Sequence, residues 1–365
     1  MKKIGIICEY NPFHNGHLYH INEIKKKYPD SIIILVLNGY FLQRGEISLI
    51  SKYDKCKVAL NNNVDIVLEL PVLYGTQSAD TFAYTSIDIL NKLGVESIIF
   101  GSESNDINYL TNLAKLSLDK HNDENIKKML DTGCNYPTAL SKVLNVDKEL
   151  PSNDLLGISY IKAILQINNQ IIPETIQRTN DYLDTESNDN IVSASNIREK
   201  IKNNVDIDKY IPKDTKRYIK QIDDNLYFNL LKSIVLNNNH LDEILDVDEG
   251  IENRLKEIIL KVNNITDLVE SIKTKRYTYN KVRRMLVHIL LNIKKEDAKY
   301  PLDYIHILGF SKKGKDYLNK NKIHYTVNKK SIVYNYELKA SIIYDMLTNS
   351  TEYKNELSNK PIITK

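Results

Sequence analysis

Ten consecutive residues, Cys8-Glu9-Tyr10-Asn11-Pro12-Phe13-His14-Asn15-Gly16-His17, form the densest set of reactive and ligand-binding side chains in the 365-residue chain. Pro12 sets a turn, and Gly16 permits close backbone approach. Free backbone N–H groups and the dipole of a starting helix favour an anion at such a place. Two imidazoles three residues apart lie on one side of a helix and can donate to phosphate oxygens. Exposed or capping histidines are the alternative for a lone H-x-x-H. Position after a strand, with Gly16 between the two, favours phosphate handling.

A second chemistry-bearing stretch runs from Lys273 to Arg284 and holds six cations and two tyrosines. Lys273, Lys275, Arg276, Lys281, Arg283 and Arg284, mixed with Tyr277 and Tyr279, suit RNA phosphates and base stacking. A solvated helix face is the other reading. Lys312-Lys313-Gly314-Lys315 is a weaker RNA contact or a plain turn. Asp65 and Glu69 could form a carboxylate or magnesium pair, but strand-end acids that brace an opposite loop are favoured. His306 and His324 are read as packing or surface residues. H-E-x-x-H, G-x-S-x-G, Walker A and G-x-G-x-x-G sequences are all missing.

The elements that must position these groups alternate in the first half. Lys3–Cys8 is a short apolar run, Ile32–Leu37 reads as a second, buried strand, and 64–70, 95–100 and 171–176 read as further strands. Helical spacing separates them, at about 14–27, 51–61, 77–93 and 195–203. Continuous apolar strands joined by helices imply a parallel sheet covered on both faces, with ligands at the carboxyl ends of its strands. From about Thr215 the pattern turns helical, through 226–236, 241–245, 251–262, 265–271 and 279–293, and strand signals nearly vanish. Residues 216–365 hold 27 Lys plus Arg against 19 Asp plus Glu, and residues 1–215 hold 23 against 28. The expected organisation is therefore an α/β domain over 1–215, net −5, and a basic, mainly helical domain over 216–365, net +8.

The chain as a whole carries only +3 on 97 charges, and 42% of its residues are hydrophobic. That balance excludes an acidic disordered chain and a polybasic tail protein. The longest apolar run is Ile32–Leu37, against the roughly 20 residues a membrane helix needs, so no membrane partner is expected. Polar residues from Glu9 to His17 interrupt any secretory leader, and the expected location is the cytoplasm. Cys8, Cys56 and Cys134 have neither the spacing nor the number of a disulfide framework or thiolate zinc site.

His14, Gly16 and His17 resemble the signature of the H-x-G-H nucleotidyltransferases, which adenylylate substrates with ATP on a Rossmann-like sheet. Val192-Ser193-Ala194-Ser195-Asn196-Ile197-Arg198 resembles, in loose form, that superfamily's second signature. Further stretches narrow the likeness. They are 39–46 (Gly-Tyr-Phe-Leu-Gln-Arg-Gly-Glu), Ser51-Lys52, Asp65 with Glu69-Leu70-Pro71, and Phe100-Gly101-Ser102-Glu103. Ser152-Asn153 with Leu155-Leu156-Gly157, Gln177-Arg178, and Lys275-Arg276-Tyr277-Thr278 complete them. Together, over nearly the whole chain, they resemble the tRNA(Met) cytidine acetate ligase family.

The resemblance implies a Rossmann-like, parallel-sheet nucleotidyltransferase domain followed by a mainly α-helical one. It also implies a two-step reaction. Acetate and ATP form acetyl-adenylate, and the acetyl group then passes to N4 of the wobble cytidine of elongator tRNA(Met). ATP, with Mg²⁺ held through its phosphates, would be the co-substrate; acetyl-CoA and DNA would have no part. Ile7, Cys8, Glu9, Tyr10, Asn11, Pro12, Phe13, His14, Asn15, Gly16, His17, Leu18, Tyr19 and His20 become the expected ATP cradle. Gly101, Asn153, Gln177, Arg178, Ser195 and Arg198 join it, with Ser195 capping a helix. His14, His17, Arg44, Lys52 and Arg178 are the expected catalytic residues, Arg44 and Lys52 facing acetate or the α-phosphate, with Gln43 as a polar partner. Competing readings are an adenylyltransferase for a small phosphorylated metabolite and a non-catalytic RNA-binding protein; a basic extension of about 150 residues favours a macromolecular acceptor.

Overall fold

A seven-stranded sheet organises the computed structural model, which describes residues 1–146, 150–178, 190–323 and 327–364. The strands are β1 (Lys3–Cys8), β2 (Ile32–Asn38), β3 (Ile66–Leu70), β4 (Ser97–Ser102), β5 (Ile172–Gln177), β6 (Ile307–Phe310) and β7 (Ile362–Ile363). Their spatial order is β5-β4-β1-β2-β3-β6-β7. The first five run parallel, as expected from apolar runs separated by helices.

Period-two alternation sends the side chains of one strand into two cores. Ile33, Leu35 and Leu37 of β2 join Ile4 and Ile6 on one face. Ile32, Ile34 and Val36 join Ile98, Phe100 and Leu68 on the other. Every residue of β2 is buried, so both faces are covered. The chain builds β1, β2 and β3 outward in one direction and then returns to place β4 on the other side of β1. The switch point therefore lies between the carboxyl ends of β1 and β4, where a ligand crevice opens in such sheets.

The C-terminal half, expected to be mainly helical, also contributes two short strands. β6 pairs antiparallel with β3, through Ile66↔Phe310 and Val67↔Gly309, and β7 pairs parallel with β6. A four-residue buried run gives no periodicity by which to distinguish a strand from a helical segment. A Cβ at Gly309 would lie 2.7 Å from both Cys56 Sγ and Ile362 O, so this strand needs a residue without a side chain. Residues 216–365 thus complete the sheet as well as supplying helices. The 241–245 helix is a single 3₁₀ turn, Leu241–Glu243, while Asp224–Asn237, Ile265–Ile272 and Tyr279–Leu291 are regular helices. Among the described residues no helix is long and apolar enough to cross a membrane.

Candidate active site

A cavity of about 340 Å³ opens at the carboxyl ends of β1, β4 and β5. The turn after β1 enters the helix Asn15–Lys27 through a reciprocal cap. Gly16 N–H donates to His14 Nδ1 at 3.0 Å, and His14 N–H donates to His17 Nδ1 at 3.2 Å. Both Nδ1 atoms accept, so the proton of each neutral ring sits on Nε2, which remains a donor. The rings stack at 3.8 Å between centroids, and Tyr10 and Phe13 back His17 at 4.7 and 5.7 Å. Tyr10 has φ +49°, an unusual value for a bulky side chain that marks a constrained turn.

These imidazoles are held neutral. Burial, then the charge of Arg178, moves His14 down to about 3 and His20 down to about 4. Burial and the neighbouring His14 push His17 well below its ordinary value. Two cations face the same space. Arg198 donates to Asn11 O at 3.0 Å and to Ser195 Oγ at 3.1 Å. Arg178 lies 3.7 Å from Glu103 through Nε and packs over Gly101, where a Cβ would lie 3.3 Å from its side chain. His20 Nε2 is buried without a hydrogen-bond partner among the described residues, and Arg178 Nε has only its 3.7 Å contact with Glu103. Buried polar atoms are normally paired, so an unpaired donor on a cavity-lining residue suits an incoming anion.

Three carbonyls fix the floor of the turn. Lys55 Nζ donates to Glu9 O at 3.0 Å, Asn38 O at 2.6 Å and Gly39 O at 2.8 Å. It ties the ends of β1 and β2 together without touching the cavity. Glu9 Oε1 accepts from Asn38 Nδ2 at 3.0 Å and Gln43 N–H at 2.8 Å. At the β4 end, Asn153 donates to Glu103, and Asp154 accepts from Ser102 Oγ and from the N–H groups of Glu103 and Ser104.

The structure brings together most of the residues expected from sequence. Ile7, Cys8, Glu9, Tyr10, Asn11, His14, Gly16, His17, Tyr19 and His20 line the cavity, as do Arg44, Gly101, Asn153, Gln177, Arg178, Ser195 and Arg198. Pro12, Phe13, Asn15 and Leu18 do not line it. Phe13 lies in the core, Leu18 packs against it, and Pro12 is buried in the turn. Asn15 Nδ2 binds Asn190 O and Lys209 O. Ser195 is not the helix cap. Ser193 caps Ala194–Lys202 by accepting from Asn196 N–H, and Ser195 instead steadies Arg198.

Lys52 is the clearest correction. Its Nζ forms ion pairs with Glu69, with Glu337 at 3.0 Å and with Glu356 at 2.7 Å, and all four side chains are essentially fully buried. Burial opposes its charge, but Glu337, Glu356 and Glu69 outweigh that and raise its pKa well above the ordinary value. A cation so neutralised, outside the cavity, cannot meet acetate or phosphate. His306 Nδ1 contacts Glu69 at 2.8 Å, so Glu69 braces an opposing segment, as favoured from sequence. Glu69, His306 and Glu356 could geometrically surround a metal, but the Lys52 ammonium already supplies the cation there. Asp65 accepts from Ile33 N–H and Lys25. His324 lies outside the described residues.

The basic stretch divides. Lys273, Lys275 and Arg276 are exposed, although Lys273 pairs with Glu270 and Arg276 with Glu249. Lys281 sits 4.4 Å over the Tyr277 ring. Tyr277 is buried and donates to Asp248 O, so only Tyr279 of the two tyrosines offers an exposed ring. Arg284 is largely buried beside Asp246 at 3.8 Å, and Arg283 reaches Glu46 at 3.3 Å. Lys312-Lys313-Gly314-Lys315 is not a plain turn: it begins the helix Lys312–Lys320 and packs Gly314 on the Asp65 backbone. Glu46 and the apolar wall of Phe82, Phe100, Leu156 and Tyr160 line the cavity without having been singled out for a role. Glu46, Phe100 and Leu156 lie in stretches that carry the family likeness, and Phe82 and Tyr160 had no such signal.

Comparison with known proteins identifies the family of the chain. The HIGH Nucleotidyl Transferase family model matches residues 1–359. The chain is 40% identical to the tRNA(Met) cytidine acetate ligase of Fusobacterium nucleatum, over 90% of this chain and 87% of that protein. It is 38% identical to the tRNA(Met) cytidine acetate ligase of a Geobacillus strain over the full length of both. Among solved structures it resembles Thermotoga maritima TmcAL bound with alpha-thio ATP, with a TM-score of 0.86 and 28% identity, covering 100% of this chain and 99% of that one.

Proposed function

The chain belongs to the tRNA(Met) cytidine acetate ligases of the HIGH nucleotidyl transferase family, and from that premise we propose a two-step ligase reaction in the cavity between β1 and β4. ATP binds with its phosphates against His14, His17, Arg178 and Arg198. An acetate oxygen attacks the α-phosphorus, the bond from that phosphorus to the bridging oxygen breaks, and pyrophosphate leaves. The N4 amine of the wobble cytidine of elongator tRNA(Met) then attacks the acetyl carbonyl. AMP departs, and N4 loses a proton to give N4-acetylcytidine.

The first step needs no protein nucleophile. It needs donors placed where the phosphoryl oxygens and leaving group gain charge. Neutral Nε2–H groups suit this role because they stabilise that charge without a proton transfer. Arg178 and Arg198 supply the positive charge that lets two anions approach. Arg44 is assigned to acetate or the α-phosphate. Among the described residues the cavity's carboxylates are Glu9 and Glu46, and both are engaged by protein donors. Mg²⁺ accompanying ATP would be held through phosphate oxygens and water.

Residues 1–215 carry the adenylation chemistry in this reading, and residues 216–365 carry the acceptor RNA. Lys273, Lys275, Arg276 and Lys281 form the outer RNA contact. The cytoplasm, where tRNA is handled, is the proposed location. The observation that carries the reading is the convergence of two locked Nε2–H donors with Arg178 and Arg198 at the β1–β4 switch point. Incubation with ATP, labelled acetate and bulk tRNA should place label in tRNA and release AMP and pyrophosphate. Label that enters only from acetyl-CoA would overturn it.

A further inference from the structure

Glu46 occupies an unusual electrostatic position. Arg198, from the helix Ala194–Lys202, lies 3.1 Å from Glu46 Oε2 and 3.2 Å from Oε1. Arg283, from the basic helix Tyr279–Leu291, lies 3.3 Å from the same Oε1. Asn11 Nδ2 donates to Oε2 at 3.3 Å. One carboxylate thus serves two guanidinium groups, one at the cavity and one from the C-terminal half. Arg198 lines the cavity; Arg283 does not.

The backbone keeps this arrangement in register. The loop carrying Glu46 is closed by Leu42 N–H donating to Glu46 O and by pairing of Phe41 with Ile47. Gly45, at φ +71°, lies directly against the basic helix. A Cβ there would come within 2.3 Å of the Arg283 carbonyl carbon and 2.4 Å of Arg284 N. Any side chain at 45 would push the helix away, so the glycine fixes the distance between Glu46 and Arg283.

We propose that Glu46 and Arg283 are positioning residues that set how strongly Arg198 holds polyphosphate, with Glu46 as the shared counter-ion. This rests on the nucleotide reading of the cavity given above. Two cations on one carboxylate each receive part of its charge, so Arg198 keeps positive potential for a phosphate. Withdrawing Arg283 leaves the whole carboxylate to Arg198 and weakens its hold on an anion. An RNA phosphate that draws Arg283 away would do the same, which ties acceptor docking to release of the leaving phosphates.

The test is a double-mutant cycle on the full chain without RNA, reading the Kd of a non-hydrolysable ATP analogue by calorimetry. Arg283→Met should weaken analogue binding about fivefold, the size of a typical contact coupling. In a Glu46→Gln background, which keeps the side-chain shape, the same change should alter Kd by less than about twofold. Arg283→Lys should restore most of the affinity. Equal weakening in both backgrounds, or none in either, overturns the inference. Failure of the unmodified chain to bind the analogue overturns the nucleotide reading, and this inference with it.

Discussion

Two clusters of charge sit within one sheet and behave in opposite ways. At the carboxyl ends of β1 and β4, histidines and arginines face an open cavity with donor atoms unspent. At the opposite flank of β2, Lys52 is enclosed by Glu69, Glu337 and Glu356, with His306 behind. Both look equally reactive as residue types. The difference lies in counter-charge. Among the described residues the cavity's carboxylates, Glu9 and Glu46, are held by protein donors while histidine donors remain available to an anionic ligand, whereas the Lys52 ammonium is enclosed by carboxylates and fastens the C-terminal helices to the sheet. A buried charge enclosed by its counter-charges holds the fold together and is not open to a ligand.

The strongest way to break this comparison is Lys52→Met. It leaves three buried carboxylates without their cation and should cost about 3–5 kcal/mol of unfolding free energy by denaturant titration. Native-like stability with lost pyrophosphate release would instead return Lys52 to catalysis. His17→Ala is the converse. Its expected effect is a loss of about 10²–10³ in ATP-dependent pyrophosphate release, the usual scale for one transition-state donor, with a stability loss of about 1 kcal/mol from the missing cap, smaller than that of Lys52→Met.

The clusters should also separate by pH. His14 and His20 have folded pKa values below the unfolded value near 6.5, so the unfolded chain binds protons that the folded chain refuses. Their stabilisation is complete above about 6.5 and is lost as pH falls through about 4, at up to about 1.4 kcal/mol per unit for each histidine. Burial, then repulsion from Glu69, raises Glu337, so that group costs stability in the other direction, as pH rises above the ordinary carboxylate range. His20→Gln should flatten the acid limb of a stability–pH curve and leave the alkaline limb unchanged. An unaltered acid limb would show that His20 is not held neutral by the cavity.

The smallest effect belongs to the outer basic surface. Lys275→Ala and Lys281→Ala should each reduce the slope of log tRNA affinity against log salt by about one, without changing acetate-dependent pyrophosphate release. An unchanged slope would move the RNA contact off this face.

What could be read without coordinates was local. Strand, turn, Pro12, Gly16 and the two histidines fall within fifteen residues, and helix geometry alone puts His14 and His17 on one side. The apolar stretches of β1 to β4 announced a parallel sheet, because strands covered on both faces are largely hydrophobic, whereas β5 is an edge strand without a fully buried residue. Ser193 and Ser195 are both acceptable cap residues by type, and only backbone geometry gives the cap to Ser193.

Chain-distant choices were decided by tertiary structure. Lys52 meets Glu337 across 285 residues and Glu69 meets His306 across 237, and no spacing rule relates such positions. β6 is too short to announce itself, and its place beside β3 depends on Gly309 fitting against Cys56 and Ile362. Glu46 gains meaning only where Arg198 and Arg283 converge on it. Covalent spacing determines which groups a short segment presents. Which charges find partners, and which stay available for a ligand, depends on packing between segments far apart in the chain.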